Sequence, residues 1–244
     1  MKKRLSVILV LFAGMLMLFS SCTNEKKPMQ AKQIPVEDFF KNPEKSSYQI
    51  SPDGKYFSFK APYESRMNIF IQEVGKEEAV RLTSETDRDI AGYFWPNNNR
   101  ILYIKDDGGN ENWKLYGVNI DGSDLVCYTD FEGVRTEIID DLQDIPNEVI
   151  IGLNKRNPQV FDPYRLNLET KEMTMLAENP GNIQGWMFDH DGQLRVAFAI
   201  VDGVNTQILY RDTEEDEFRP VITTSFKETI RPVFFTFDNE NVYA

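Results

Sequence analysis

Histidine is almost missing from this 244-residue chain, in which His190 is the only one. A metal site built on imidazoles is therefore excluded, and any Ser-His-Asp system would hang on that single ring. Cysteine is nearly as scarce. Cys22 and Cys127 cannot supply a disulfide framework or a thiolate metal centre. Positive charge is in deficit, with 27 Lys+Arg against 39 Asp+Glu and a formal net charge of −12. A surface of that sign does not neutralise phosphates, so nucleic acid is not an expected partner. No long amphipathic helical period occurs after residue 44, which excludes a helical solenoid. What is present is a chain that is 41% hydrophobic and 12% aromatic, enough to bury a core.

The apolar run Leu5–Phe19 follows Lys2, Lys3 and Arg4 and precedes Ser20-Ser21-Cys22. It is too short for a comfortable membrane span. The pattern resembles a bacterial lipoprotein signal, in which small residues precede a cysteine that is acylated and becomes the mature N-terminus. Residues 1–21 are then a signal peptide, Cys22 the lipid attachment point and 22–33 a polar tether. This predicts a cell-envelope protein held at a membrane by its lipid. An ordinary secretory signal with an incidental cysteine is the alternative. Ile34–Phe40 reads as a short helical turn ending before Asn42-Pro43.

The remainder repeats. A strand, a tight polar turn and a second strand occur as Tyr48–Phe59 around Ser51-Pro52-Asp53-Gly54, and as Tyr93–Ile104 around Pro96-Asn97. Weaker copies centre on Pro146, His190 and Asn239, at intervals of 44, 50, 44 and 49 residues. Locked to it is a second unit, in which Phe70, Tyr116, Tyr164 and Tyr210 each precede Thr83, Thr129, Ala177 and Thr223 by 13 residues. Together they give four short strands per period, the signature of an all-β β-propeller of four-stranded antiparallel blades. Ile101–Ile104 and Val149–Ile151 are apolar throughout, as strands buried on both faces should be. Residues 34–244 are thus read as about four complete blades and a truncated fifth, although a ring closed by an N-terminal strand also fits.

Ser51-Pro52-Asp53-Gly54-Lys55 before an apolar strand resembles the TolB-type propeller repeat. Ile34–Phe40 running to Gly54, and Asp106-Asp-Gly-Gly-Asn-Glu-Asn-Trp113 leading to Tyr116 and Asp121-Gly122, resemble the propeller of prolyl oligopeptidase family serine peptidases, in the acylaminoacyl-peptidase and dipeptidyl-peptidase-like branch. That resemblance implies an N-terminal propeller capping a C-terminal α/β-hydrolase domain that cleaves short peptides. The chain has no Gly-x-Ser-x-Gly elbow to present a nucleophile. His190 lies in the turn Asp189-His190-Asp191-Gly192, with no elbow serine upstream. No catalytic residue carries over, and the chain alone is expected to be a non-catalytic, access-gating portion, with the hydrolase domain as its partner. A stand-alone TolB-like lipoprotein acting as a scaffold is the alternative.

Among the remaining candidates, Trp95 and Trp186 sit where propellers bury large side chains and are expected in the core rather than on a sugar-stacking surface. The loop Asn110-Glu111-Asn112-Trp113 is the candidate interdomain or substrate-side element. Its Asn and Glu are placed to bond across to another blade or domain. Glu214-Glu215 is a hairpin turn expected to be solvated. Neither Asp106-Asp107 nor Asp189/Asp191 completes a calcium loop, and no metal or cofactor is expected. A glycoside hydrolase would need carboxylates converging on the channel, where the inner-strand segments are mostly apolar.

Overall fold

The computed structural model describes residues 33–244 apart from Asn42 and Thr229. The expected signal segment 1–21, the attachment point Cys22 and the tether as far as residue 32 lie outside the described residues. The chain divides into two units, 1–41 and 42–244. In the first, helix α1 (Val36–Phe40) follows Pro35 and carries Glu37 and Asp38 in its opening turn, where the free N–H groups favour negative charge.

The second unit is built from antiparallel hairpins. Its first sheet is β1 (Ser46–Ile50), β2 (Tyr56–Tyr63), β3 (Arg66–Glu73) and β4 (Ala79–Arg81), hydrogen-bonded in chain order. The second is β5 (Gly92–Asn97), β6 (Arg100–Lys105), β7 (Lys114–Asn119) and β8 (Val126–Cys127). The third is β9 (Thr136–Asp140), β10 (Glu148–Leu153), β11 (Asp162–Asn167) and β12 (Met173–Met175). The fourth is β13 (Ile183–Phe188), β14 (Leu194–Val201), β15 (Asn205–Tyr210) and β16 (Arg219–Thr224). A two-stranded sheet, β17 (Phe234–Phe235) and β18 (Val242–Tyr243), follows. The strand period expected from the repeats is therefore the period of the sheets.

Apolar side chains are buried mainly in the seams where one sheet faces the next. Ile69 and Ile71 of β3 meet Tyr93, Trp95, Ile101 and Tyr103 of the second sheet. Leu102 and Leu115 meet Val149, Ile151 and Leu166 of the third. Leu142 and Ile150 meet Phe188 and Leu194 of the fourth. Val196 and Ile208 meet Phe235 of the last. The middle strands thus bury both faces, which is why β10 is apolar from Val149 to Leu153 apart from Gly152. Packing sheet on sheet around successive seams is the arrangement of propeller blades.

The 13-residue spacing has a physical cause. Thr83 and Thr129 follow the fourth strand of their blades, and each hydroxyl accepts a backbone N–H of the third strand. Thr83 Oγ1 takes Ile69 N–H at 2.9 Å and Thr129 Oγ1 takes Leu115 N–H at 2.8 Å. In the third blade the corresponding donor is Pro163, which has no N–H, and the corresponding hydroxyl is replaced by Ala177. Donor and acceptor have disappeared together. The fourth copy is not equivalent: a register shift between Ile208 and Leu209 puts Thr223 inside β16, opposite Gln207, whose side chain it accepts at 3.0 Å.

Candidate functional site

Strand direction decides which loops share an end of the blades. The links between second and third strands lie beside the connectors that lead to the next blade. In the first blade this link is the two-residue turn Glu64-Ser65, with both residues at positive φ, and in the fourth it is 202–204. In the second and third blades it lengthens to eight residues, 106–113 and 154–161. These two loops give that end its relief, and the expected site residues Asn110, Glu111, Asn112 and Trp113 all fall on the first of them.

Asp106 is the anchor of that loop. Only 1% exposed, it accepts Arg88 Nε at 3.1 Å through Oδ1 and the Glu111 N–H at 2.9 Å through Oδ2. Burial pushes its carboxyl up, but the Glu111 N–H and the Arg88 guanidinium outweigh that, so it titrates below the ordinary carboxylate value. Asp87 Oδ2 accepts the Gly108 N–H at 3.0 Å. The loop is therefore clasped to the connector 82–91 between the first two blades. Gly108, Gly109 and Glu111 stand at φ of 61°, 86° and 60°. At Gly109 the side chain of Arg88 lies 3.5 Å from where a Cβ would be.

On its other side the loop borders a cleft of about 370 Å³ to which Asn110 and Asn112 contribute, together with Lys114 and Asp130. Lys114 Nζ sits 2.7 Å from Asp130 and 2.9 Å from Asp107, and these two carboxylates hold its ammonium above the ordinary lysine value. Asn110 Oδ1 accepts the Asn112 N–H at 2.9 Å, so its carboxamide shapes its own loop rather than reaching another blade. The inter-blade links come instead from Arg88 and Asp87 and from the Trp113 carbonyl, which accepts Thr136 N–H at 2.9 Å. Glu111 is exposed and Trp113 half-buried.

The second loop is held by a similar device, which no local sequence pattern marks. Asp162, fully buried, receives both Nε and Nη2 of Arg156 at 3.0 Å and the Asn179 N–H at 2.7 Å. Nothing local in the sequence marks Arg88 or Arg156, because each acts only through a carboxylate that folding buries.

Three other candidates find their places. His190 is an exposed turn residue whose Nε2 faces the Phe235 carbonyl at 3.1 Å, and its ring stacks on Phe237. No serine partner accompanies it in these contacts. Glu214 is not a solvated turn residue, as expected, but a clamp between blades. It takes the Leu194 N–H at 2.9 Å and pairs with Arg165 of the third blade at 3.1 Å. Trp95 is buried with its indole N–H on Ser58 Oγ at 2.8 Å, whereas Trp186 is only half-buried. Cys127 is a free, half-buried thiol that burial pushes up, so it carries little thiolate. Among the described residues no group of three or more potential ligands could hold a metal ion.

The arrangement supplies hydrogen-bonding and electrostatic surface on rigid loops. No family model matches the chain. Dipeptidyl aminopeptidase BIII of Pseudoxanthomonas mexicana is 30% identical over 219 residues, spanning 86% of this chain and 31% of that protein. Dipeptidyl peptidase family member 6 of Caenorhabditis elegans is 27% identical over 226 residues, spanning 85% of this chain and 30% of its own length. The chain thus spans about a third of the length of the curated relatives it matches. Among solved structures, a prolyl endopeptidase superposes with a TM-score of 0.53 at 10% identity, covering 74% of this chain and 30% of the other. Oligogalacturonate lyase superposes with a TM-score of 0.52 at 11% identity, covering 73% of this chain and 52% of the other. These two likenesses concern the fold alone.

Proposed function

Since the chain belongs to the prolyl oligopeptidase family as a propeller region, we propose that it is the non-catalytic, access-gating portion of a serine peptidase acting on short peptides. The observation that carries this reading is the 30% identity to dipeptidyl aminopeptidase BIII over 219 residues. The chemistry would come from an α/β-hydrolase domain with a Ser-His-Asp site, partnered by this propeller. Loops 106–113 and 154–161, each fixed by a buried Asp–Arg pair, supply a rigid surface for that domain or its substrate. A narrow passage between packed sheets admits a flexible peptide and rejects a folded protein. Acylation at Cys22 would hold the assembly at a membrane of the cell envelope, and Cys22→Ala should move the protein from the membrane to the soluble fraction.

The test has two parts. The full 244-residue chain, exposed to a fluorophosphonate probe, should show no labelling, and labelling would refute the non-catalytic assignment. The reading frame after Ala244 should continue into a hydrolase domain bearing Gly-x-Ser-x-Gly. A stop codon soon after would instead support the stand-alone scaffold.

A further inference from the structure

Trp186 is packed into the core, but its indole N–H has no hydrogen-bond partner among the described residues. Its half-buried ring packs against buried residues of two core clusters, one around Ile150 and Leu194 and one around Ile183 and Ala197, and tilts against Phe218 with ring centroids 6.0 Å apart. That N–H, unlike the one of Trp95, is not fully buried. A tryptophan in a packed seam ordinarily gives its N–H to an acceptor. Here the ring borders a cleft of about 340 Å³ between the third and fourth blades, both complete four-stranded sheets. That volume sits at the lower end of the ~300–1,000 Å³ usual for small-ligand sites.

The other walls are chemically selective. Ile139 and Phe161 make the apolar part, while Gln159, Gln184 and Glu137 bring polar groups to the rim. The two glutamine carboxamides are exposed and make no side-chain hydrogen bond among the described residues, and the Glu137 carboxylate lies 3.6 Å from Arg135. Each carboxamide is both donor and acceptor, the indole N–H is a donor and the carboxylate an acceptor. Arg135 stands beside two lining residues but is paired with Glu137, no cation is itself in the lining, and the chain carries a net charge of −12, so an anionic ligand is disfavoured.

We propose that this cleft is a binding site for a neutral saccharide, with Trp186 as the platform for a sugar ring and Gln159, Gln184 and Glu137 as partners for its hydroxyls. A pyranose has an apolar C–H face suited to an indole, and vicinal hydroxyls that both donate and accept, the pattern these side chains offer around one aromatic ring. An extended peptide presents its amides in a row and is recognised mainly along a strand edge. The site is independent of the peptidase reading and stands or falls separately from it.

Binding of chitotriose and of cellotriose to the full chain, followed by calorimetry and tryptophan fluorescence, tests this. At least one should bind saturably with a dissociation constant of about 1 mM or tighter. Gln159→Ala and Gln184→Ala, both exposed positions, should each weaken it about fivefold with unchanged circular dichroism. Trp186→Phe, which keeps an aromatic wall, should weaken it by a similar factor. Gln143→Ala, an exposed position outside the cleft, should leave it unchanged. The site is overturned if neither sugar binds below ~10 mM, or if binding ignores both glutamine substitutions. Saturable binding of the tripeptide Ala-Pro-Ala that is lost in the same variants, without sugar binding, would overturn the saccharide and assign the cleft to peptides.

Discussion

Gly117 shows how one missing side chain admits another. A Cβ there would stand 2.8 Å from the Tyr128 ring, 2.9 Å from Arg100 Nε and 2.9 Å from Leu102 Cδ2. The Arg100 guanidinium occupies that space, bonded to Asn119 and Asp124 and lying over Tyr128. Gly117→Ala should therefore cost about 1–3 kcal/mol through overpacking, read as a lower urea midpoint with unchanged slope. Asp106 gives a prediction in pH. Its carboxyl titrates below the ordinary value in the fold, so its contribution is full above the unfolded value near ~4 and is lost as pH falls through the lower folded value. The protection factor of the Glu111 amide, its exchange rate relative to the free-chain rate at the same pH, should fall on acidification below about pH 4, and Asp106→Asn should show low protection already at neutral pH. An acid response that is the same in both proteins would mean that Asp106 does not hold the loop. Residues of this kind were only partly legible beforehand. Asn110–Trp113 could be found as a polar insert between strands, but which atom holds it depends on Arg88, 18 positions before Asp106.

At the level of strands and turns the chain was more readable, because each blade reuses the same local solution. The turns aligned on Pro96, Pro146, His190 and Asn239 touch their neighbours: Asn97 Nδ2 donates to Asn147 Oδ1 at 2.7 Å, and Asn239 Nδ2 to Asp191 Oδ2 at 3.0 Å. The 13-residue rhythm reports a hydroxyl that closes a backbone N–H, which makes it testable. Thr129→Val should cost about 1–3 kcal/mol, because the buried Leu115 N–H loses its acceptor and Thr136 Oγ1, which donates to Thr129 at 2.8 Å, is stranded. Ala177→Thr should bring no matching gain, since Pro163 offers nothing to accept. Parallel denaturation of the two variants separates a hydrogen-bond role from a generic preference for threonine, which would make Ala177→Thr stabilising. The same rhythm misleads at Thr223, where a bulge shifts the register; spacing in sequence does not reveal a bulge. Glu214 likewise reads as a turn from its neighbours in sequence, while its partners Arg165 and Leu194 belong to other hairpins.

Across the whole second unit, contacts run from each sheet to the next, so stability should be distributed seam by seam, as in other repeat architectures. The seams are not equal. Those among the four-stranded sheets bury many side chains and carry ion pairs such as Arg165–Glu214, whereas the last rests on Phe235 against Val196 and Ile208 and on the His190 and Asn239 turn contacts. Phe235 is 3% exposed, and Phe235→Ala should remove about 3–5 kcal/mol at that seam. The loss should appear locally. Amide exchange should accelerate through 233–243 and along β14, while Ile101–Tyr103 and Val149–Ile151, whose seams lie elsewhere, keep their protection. Uniform acceleration in every blade would show instead that the sheets unfold as one cooperative body, and the seam-by-seam account of how this sequence holds its fold would have to be given up.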